Sequence, residues 1–186
     1  MFHPVIQAQS PEHYAECEAL LAKQYALHSI PHAGLSLWAH AGAVQRLMLM
    51  RGGMVAGSID IIEDSAVLGL PVDAYYPEEM VMLRGTSNRV CEVGAFASDT
   101  PHLLPTEREA LFTEVCCRLI KMKLDVAVCG INPENARMYR IFMGWEIASE
   151  SRTLPGSRVP VVLMKLTEAG FKGSAMYKRM PERIKP

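Results

Sequence analysis

Apolar and polar positions along the chain change period several times, and each change marks an element. In SPEHYAECEALLAKQYAL, Tyr14, Cys17, Leu21 and Tyr25 recur at helical spacing. Ser10 suits the N-cap and Pro11 the first helical position, while Glu12 and Glu16 favour an electropositive first turn, so a helix is predicted there. A short strand over 3–8 precedes it, and a loop with Pro31 and Gly34 follows, carrying Leu35, Leu37 and Trp38. In QRLMLMRGGMVAGSIDIIED two apolar runs flank Gly52-Gly53, a two-residue hairpin turn because glycine tolerates positive φ. Val55, Ile59 and Ile61 then take one face of the second run, and Ser58 and Asp60 the other.

Further along, YPEEMVML reads as a short helix with Pro77 near its start, and RVCEVGAFAS as a buried strand interrupted by Gly94. Thr106 and Glu109 have the spacing of a capping box and open a long helix to about Lys123. The apolar strand VAVCGIN, a helix within INPENARMYRIFMG, and the strand WEIASE come next. A Pro155-Gly156 turn leads into the last strand, RVPVVLMKL. The basic stretch 171–186 reads as a tail with a frayed helix. Antiparallel hairpins come first and strand–helix–strand units later, which predicts one α+β domain over 1–186, a mixed sheet flanked by helices.

Composition narrows the function. Of 186 residues, 49% are hydrophobic, which suits a packed core. A formal charge of −1 gives no support to a nucleic-acid partner held through phosphates. No apolar run approaches the ~20 residues of a membrane span, and the N-terminus lacks the basic-then-apolar pattern of a signal peptide, so a cytoplasmic protein is expected. The five cysteines form no C-x-x-C pair and read as buried thiols of a reducing compartment. His28, His32 and His40 fall in the loop without zinc spacing, so no metal is expected.

The chemistry-bearing residues cluster later. Asn132, Ala136, Tyr139, Gly144 and Trp145, on a strand–helix–strand unit, resemble the acyl-donor motif of the GNAT superfamily of acyltransferases. Gly144 follows Tyr139 by five positions rather than the usual four, and SDTPHLLPTERE replaces the glycine-rich pyrophosphate loop. Both departures resemble a narrower group, the long-chain N-acyl amino acid synthases and the acyl-homoserine-lactone synthases. LPVDAYYPEEMVMLR, CEVGAFASD and NARMY are similar to stretches of that group, across roughly residues 70 to 147. Asn135 stands where the group has a histidine, and Ala95 where the lactone synthases have an arginine.

The resemblance implies a GNAT-like fold in which the strands around 90–98 and 126–132 run parallel and splay apart at their C-terminal ends. It implies acyl transfer from a thioester to an amine such as an amino acid. Glu92, opening an apolar strand where burial raises a carboxylate pKa, would be the base. Tyr139 would protonate the leaving thiolate. The backbone of Phe96, Ala97 and Ser98 would bind pantetheine, with Asn132 and Asn135 at the motif helix. Thr106 and Arg108, at a helix start, would meet phosphate. The donor would be a cosubstrate, acyl carrier protein or acyl-coenzyme A, with the missing glycines favouring the carrier's single phosphate. Lys172, Lys178, Arg179, Arg183, Lys185 and Arg108 would meet an acidic carrier. Met48, Met50, Met54, Met80 and Met82 would line an acyl tunnel. An ordinary acetyl-coenzyme A-dependent N-acetyltransferase and a GNAT-fold binding module without chemistry are the alternatives.

Overall fold

The computed structural model describes residues 4–27, 44–99, 103–153, 159–182 and 185. The loop with His28, His32, His40, Leu35, Leu37 and Trp38, the Pro155-Gly156 turn and Arg183 lie outside them. Strand β1 (Val5–Gln7) leads into helix α1 (Pro11–Leu27), then the hairpin β2 (Val44–Arg51) and β3 (Met54–Glu63). A 3-10 turn, Pro71–Ala74, precedes α2 (Pro77–Thr86) and β4 (Val90–Ser98). Next come α3 (Pro105–Lys121), β5 (Val126–Ile131), α4 (Pro133–Met138) and a π-helical turn, Tyr139–Met143. Strands β6 (Glu146–Ile147), β7 (Arg152–Thr153) and β8 (Pro160–Leu166) and helices α5 (Glu168–Gly173) and α6 (Ala175–Arg179) follow. Among the described residues the sheet runs β1-β2-β3-β4-β5-β8-β6, with β7 paired to β8. Among the described strands only β4 and β5 run parallel to each other; the other pairs are antiparallel.

The hairpin turns where glycine permits it: φ is 59° at Gly52 and 83° at Gly53, the two positive values a type I′ turn needs. One face of the sheet, through Leu47, Ile59, Ile61, Cys91 and Val93, packs on α3 and the segments after β5. Its other face meets the 3-10 turn and α2 through Ile62, Val72, Tyr76 and Met80, and α1 through Met48, Cys17 and Leu21. Val55 departs from the expected face. The β2–β3 register slips between Leu49 and Met50, so Val55 packs with α1 rather than with Ile59 and Ile61. Ser58 and Asp60 do face away from Ile59 and Ile61, and both are buried. Arg46 Nε and Nη2 grip Asp60 at 2.8 and 2.7 Å, and Nη1 reaches Glu18 of α1 at 2.5 Å.

Two expected boundaries move. Helix α3 begins one residue before Thr106, at Pro105. Glu107, not Glu109, reaches back to the N-cap amide, of Leu104, at 2.8 Å. Proline at the first helical position fixes the start there, because its missing N–H is no loss. Within the described part of the C-terminal stretch, Phe171, Met176 and Met180 are buried in the main core, and Thr167 and Ser174 cap α5 and α6. All five cysteines are buried.

Candidate active site

Strands β4 and β5 pair at Val90/Val126, Cys91/Ala127 and Glu92/Val128, and at no residue beyond. The parting coincides with a bulge on the other edge of β4. Asp60 of β3 opposes Gly94, yet Ser58 opposes Ala97, so β4 carries one residue too many there. Ala95 takes it up at φ 51°, a left-handed conformation strained for a residue with a Cβ. The expected splay is therefore present. It opens into a cavity of about 660 Å³ lined by residues from both faces of the sheet.

Glu92 lines this cavity and is only 5% exposed. Its Oε2 accepts the Val72 N–H at 2.7 Å, from the 3-10 turn. Burial pushes its pKa up to about 8; the Val72 hydrogen bond works against this, and the charge of Asp73 adds to it. Tyr25 and Tyr75 line the same side of the cavity. Burial, then the charge of Glu92, raises the phenol of Tyr25 to about 12 and that of Tyr75 further.

Tyr139 lines the cavity with residues of the opposite face of the sheet. Burial raises its pKa, so it is a neutral donor; nearby Arg108 pulls the other way. Its ring stands edge-on to Phe112 at 5.7 Å and to Trp145 at 6.2 Å between centroids. The five-residue spacing to Gly144 now has a cause. Tyr139–Met143 is π-helical, which holds one more residue in the turn than an α-helix, and the Gly144 N–H returns to Tyr139 O. Gly144 ends it at φ 82° against α5, where a Cβ would stand 2.1 Å from Gly170 O.

Of the expected site residues, Glu92, Phe96, Asn132, Asn135 and Tyr139 line one cavity. Phe96 stacks on Phe112, with centroids 5.5 Å apart. Asn132 caps α4, its Oδ1 accepting the Glu134 N–H at 2.9 Å. Ala97 and Ser98 do not line it; they pair with Ser58 and Gly57 of β3. Thr106 and Arg108 lie exposed on the first turn of α3, where the Glu107 and Arg108 amides both return to Leu104 O. The five methionines expected around an acyl tunnel are elsewhere: Met48 and Met80 are fully buried, Met54 and Met82 are exposed, and Met50 packs beside α1. Met143 lines the cavity instead, with Ile59, Phe112, Val115 and Trp145. Trp145 Nε1 is buried with no partner among the described residues. Lys172 pairs with Glu168, and Lys185 with Glu182.

Tyr25, Tyr75 and Trp145 were not expected as cavity residues. Tyr75 sits inside LPVDAYY, whose adjoining tyrosines were the available signal; Tyr76 is the structural one, bonded to Glu150 O and Val161 O.

A mixed sheet whose one parallel pair splays apart around a cavity is the fold of the GNAT acyltransferases. The structure is similar to that of FeeM, an N-acyl amino acid synthase from uncultured soil microbes, with a TM-score of 0.86 at 20% identity over 96% of this chain and 99% of that one. It is similar also to the AHL synthase LasI (TM-score 0.67, 13% identity, 93% and 97% covered). A ribosomal-protein-alanine N-acetyltransferase from Brucella melitensis shares the fold more distantly (TM-score 0.54, 14% identity, 88% and 99% covered). No curated protein matches in sequence. A family model described as N-acyl amino acid synthase FeeM matches residues 16–167, and the chain belongs to that family. It is an N-acyltransferase.

Proposed function

We propose that the chain transfers an acyl group from the phosphopantetheine thioester of an acyl carrier protein to a primary amine such as that of an amino acid. The observation that carries this is one cavity through the β4–β5 gap with Glu92 on one side and Tyr139 on the other. The amine arrives as an ammonium ion on the Glu92 side and passes a proton to the ionised carboxylate. Its lone pair attacks the thioester carbonyl carbon, forming the C–N bond. The tetrahedral intermediate then loses its second nitrogen proton to solvent and collapses: the C–S bond breaks, Tyr139 gives its proton to the departing sulfur, and Tyr139 and Glu92 return to their starting protonation states by exchange with solvent. The wall of Ile59, Phe112, Val115 and Met143 suits a long acyl chain.

Charge favours a carrier protein over free coenzyme A. Arg137 and Arg140 are exposed on the motif helix beside exposed Met138 and Ile141, adjoining Asn135 and Tyr139 at the cavity. Apolar side chains ringed by arginines complement an acidic surface carrying an acyl arm. The test is thiol release from a long-chain acyl donor presented on carrier protein or on coenzyme A, with an amine acceptor. Carrier-borne donor should be preferred, and rising salt should weaken its use. Arg137→Glu with Arg140→Glu should raise KM for the carrier ~10-fold or more while sparing a short pantetheine thioester. Equal, salt-insensitive use of coenzyme A would hand the donor site to the coenzyme.

A further inference from the structure

Outside the cavity, Arg84 in the last turn of α2 holds two carboxylates at once. Its Nε and Nη2 hold Asp64 at 2.6 and 3.0 Å, and its Nη1 and Nη2 hold Asp73 at 2.7 Å each. Asp73 in turn accepts the Leu70 N–H at 2.7 Å, closing the 3-10 turn Pro71–Ala74 from within. Gly69 passes over that carboxylate at φ 63°, where a Cβ would stand 2.5 Å from Asp73 Oδ2. The early amides of such a turn have no partner inside it. One of them, Val72 N–H, is the group that bonds Glu92.

From this continuous path, and on the reading of Glu92 as the base, we infer that Arg84 is a positioning residue for Glu92, acting through Asp73 and the turn. It holds the turn so that one backbone donor meets the carboxylate, and it neutralises the charge next to it. The titratable groups close enough to interact with Glu92 are Asp73 from the turn, Tyr75 just after it, Tyr25 from α1, Cys129 from β5 and Cys91 on its own strand. Burial keeps the tyrosines and cysteines neutral, so Asp73 is the charge that matters. With Arg84 gone, the Val72 contact loosens and Asp73 stands uncompensated, and both changes favour the protonated acid. Removing the charge of Asp73 instead favours the carboxylate. The two substitutions therefore act in opposite directions, which an ion pair uncoupled from Glu92 does not produce.

The test follows the Glu92 carboxyl directly, by ¹³C NMR of glutamate-labelled protein, with Glu92→Gln identifying the resonance. Arg84→Gln should raise its midpoint by about one pH unit, Asp73→Asn should lower it, and Arg84→Lys should fall between wild type and Arg84→Gln. In parallel, kcat/KM for Arg84→Gln should drop several-fold at pH 7 and recover above pH 9, with KM for the amine unchanged. A midpoint unmoved in both variants, or moved the same way, overturns the inference. Should Arg84→Gln not fold, the near-isosteric Asp73→Asn decides alone: a midpoint that stays or rises overturns it. Absence of acyl transfer with any donor would defeat the catalytic reading, and the NMR midpoints would still decide the role of Arg84.

Discussion

Replacing Glu92 by Gln removes one charge and little else, so its consequences are calculable. The carboxyl moves from an ordinary value of 4.5 to about 8 in the folded chain. Between those two pH values the unfolded chain is ionised while the folded chain keeps its proton, so stability falls as pH rises through that window and levels off above it. The full difference corresponds to about 3 to 5 kcal/mol. Glutamine is neutral throughout and its carbonyl still accepts the Val72 N–H. Near pH 5 the variant and wild type should therefore melt together; at pH 9 the variant should melt about 10 °C higher. Activity should move oppositely. Wild-type kcat/KM should rise with pH through a midpoint near 8 to a plateau above it, where the base is ionised. The variant should lose ~10²–10⁴ in rate at pH 7 and regain part of it at higher pH as the amine deprotonates itself. Calorimetric melts at the two pH values, beside thiol release across the range, measure both halves. A variant that keeps the wild-type pH–rate curve refutes the base assignment. Equal melting at pH 9 refutes the buried-carboxylate argument itself.

Tyr139→Phe keeps the ring against Phe112 and Trp145 and removes only the proton; thiol release should slow ~10²–10⁴-fold with the melting temperature nearly unchanged. Gly144→Ala sets a Cβ 2.1 Å from Gly170 O at a positive φ, so it should destabilise by about 3 kcal/mol or more, visible as a lower urea midpoint. Arg46→Ala strands the buried Asp60 carboxylate beneath α1 and should cost about 3–5 kcal/mol by the same measurement; Arg46→Ala with Asp60→Ala should recover part of it.

The α+β fold was legible because hairpin, helix and strand each keep their own hydrophobic period, and because Gly52-Gly53 and Pro77 punctuate them locally. Glu92 and Tyr139 were legible through the resemblance of short segments. What escaped depends on register. Val55 changed faces because of a single slip opposite Leu49, which leaves no trace in residue type. The methionines were chosen for flexibility, yet distance decides what lines a cavity, and Met143 alone among those named here is near enough. The α3 start moved because a carboxylate two positions earlier met the chain first. Tyr25 and Tyr75 come from elements on either side of the β2–β3 hairpin, and only their docking on one face of the sheet brings both to Glu92.

The two walls of the opening share an arithmetic property. The bulge puts one residue more into β4 than its partner strand has, and the π turn puts one more into the helix than an α-turn holds. Neither insertion depends on which side chains line the space between. The width of the gate is thus set by residue count in the backbone, while its selectivity is left to side chains such as Ile59, Val115 and Met143. Such a site can be re-lined for a longer, shorter or bulkier acyl group by substitution without closing. Deletion acts on the frame itself: taking out one residue near Ala95, or one between Tyr139 and Gly144, would restore the regular repeat and draw the wall in.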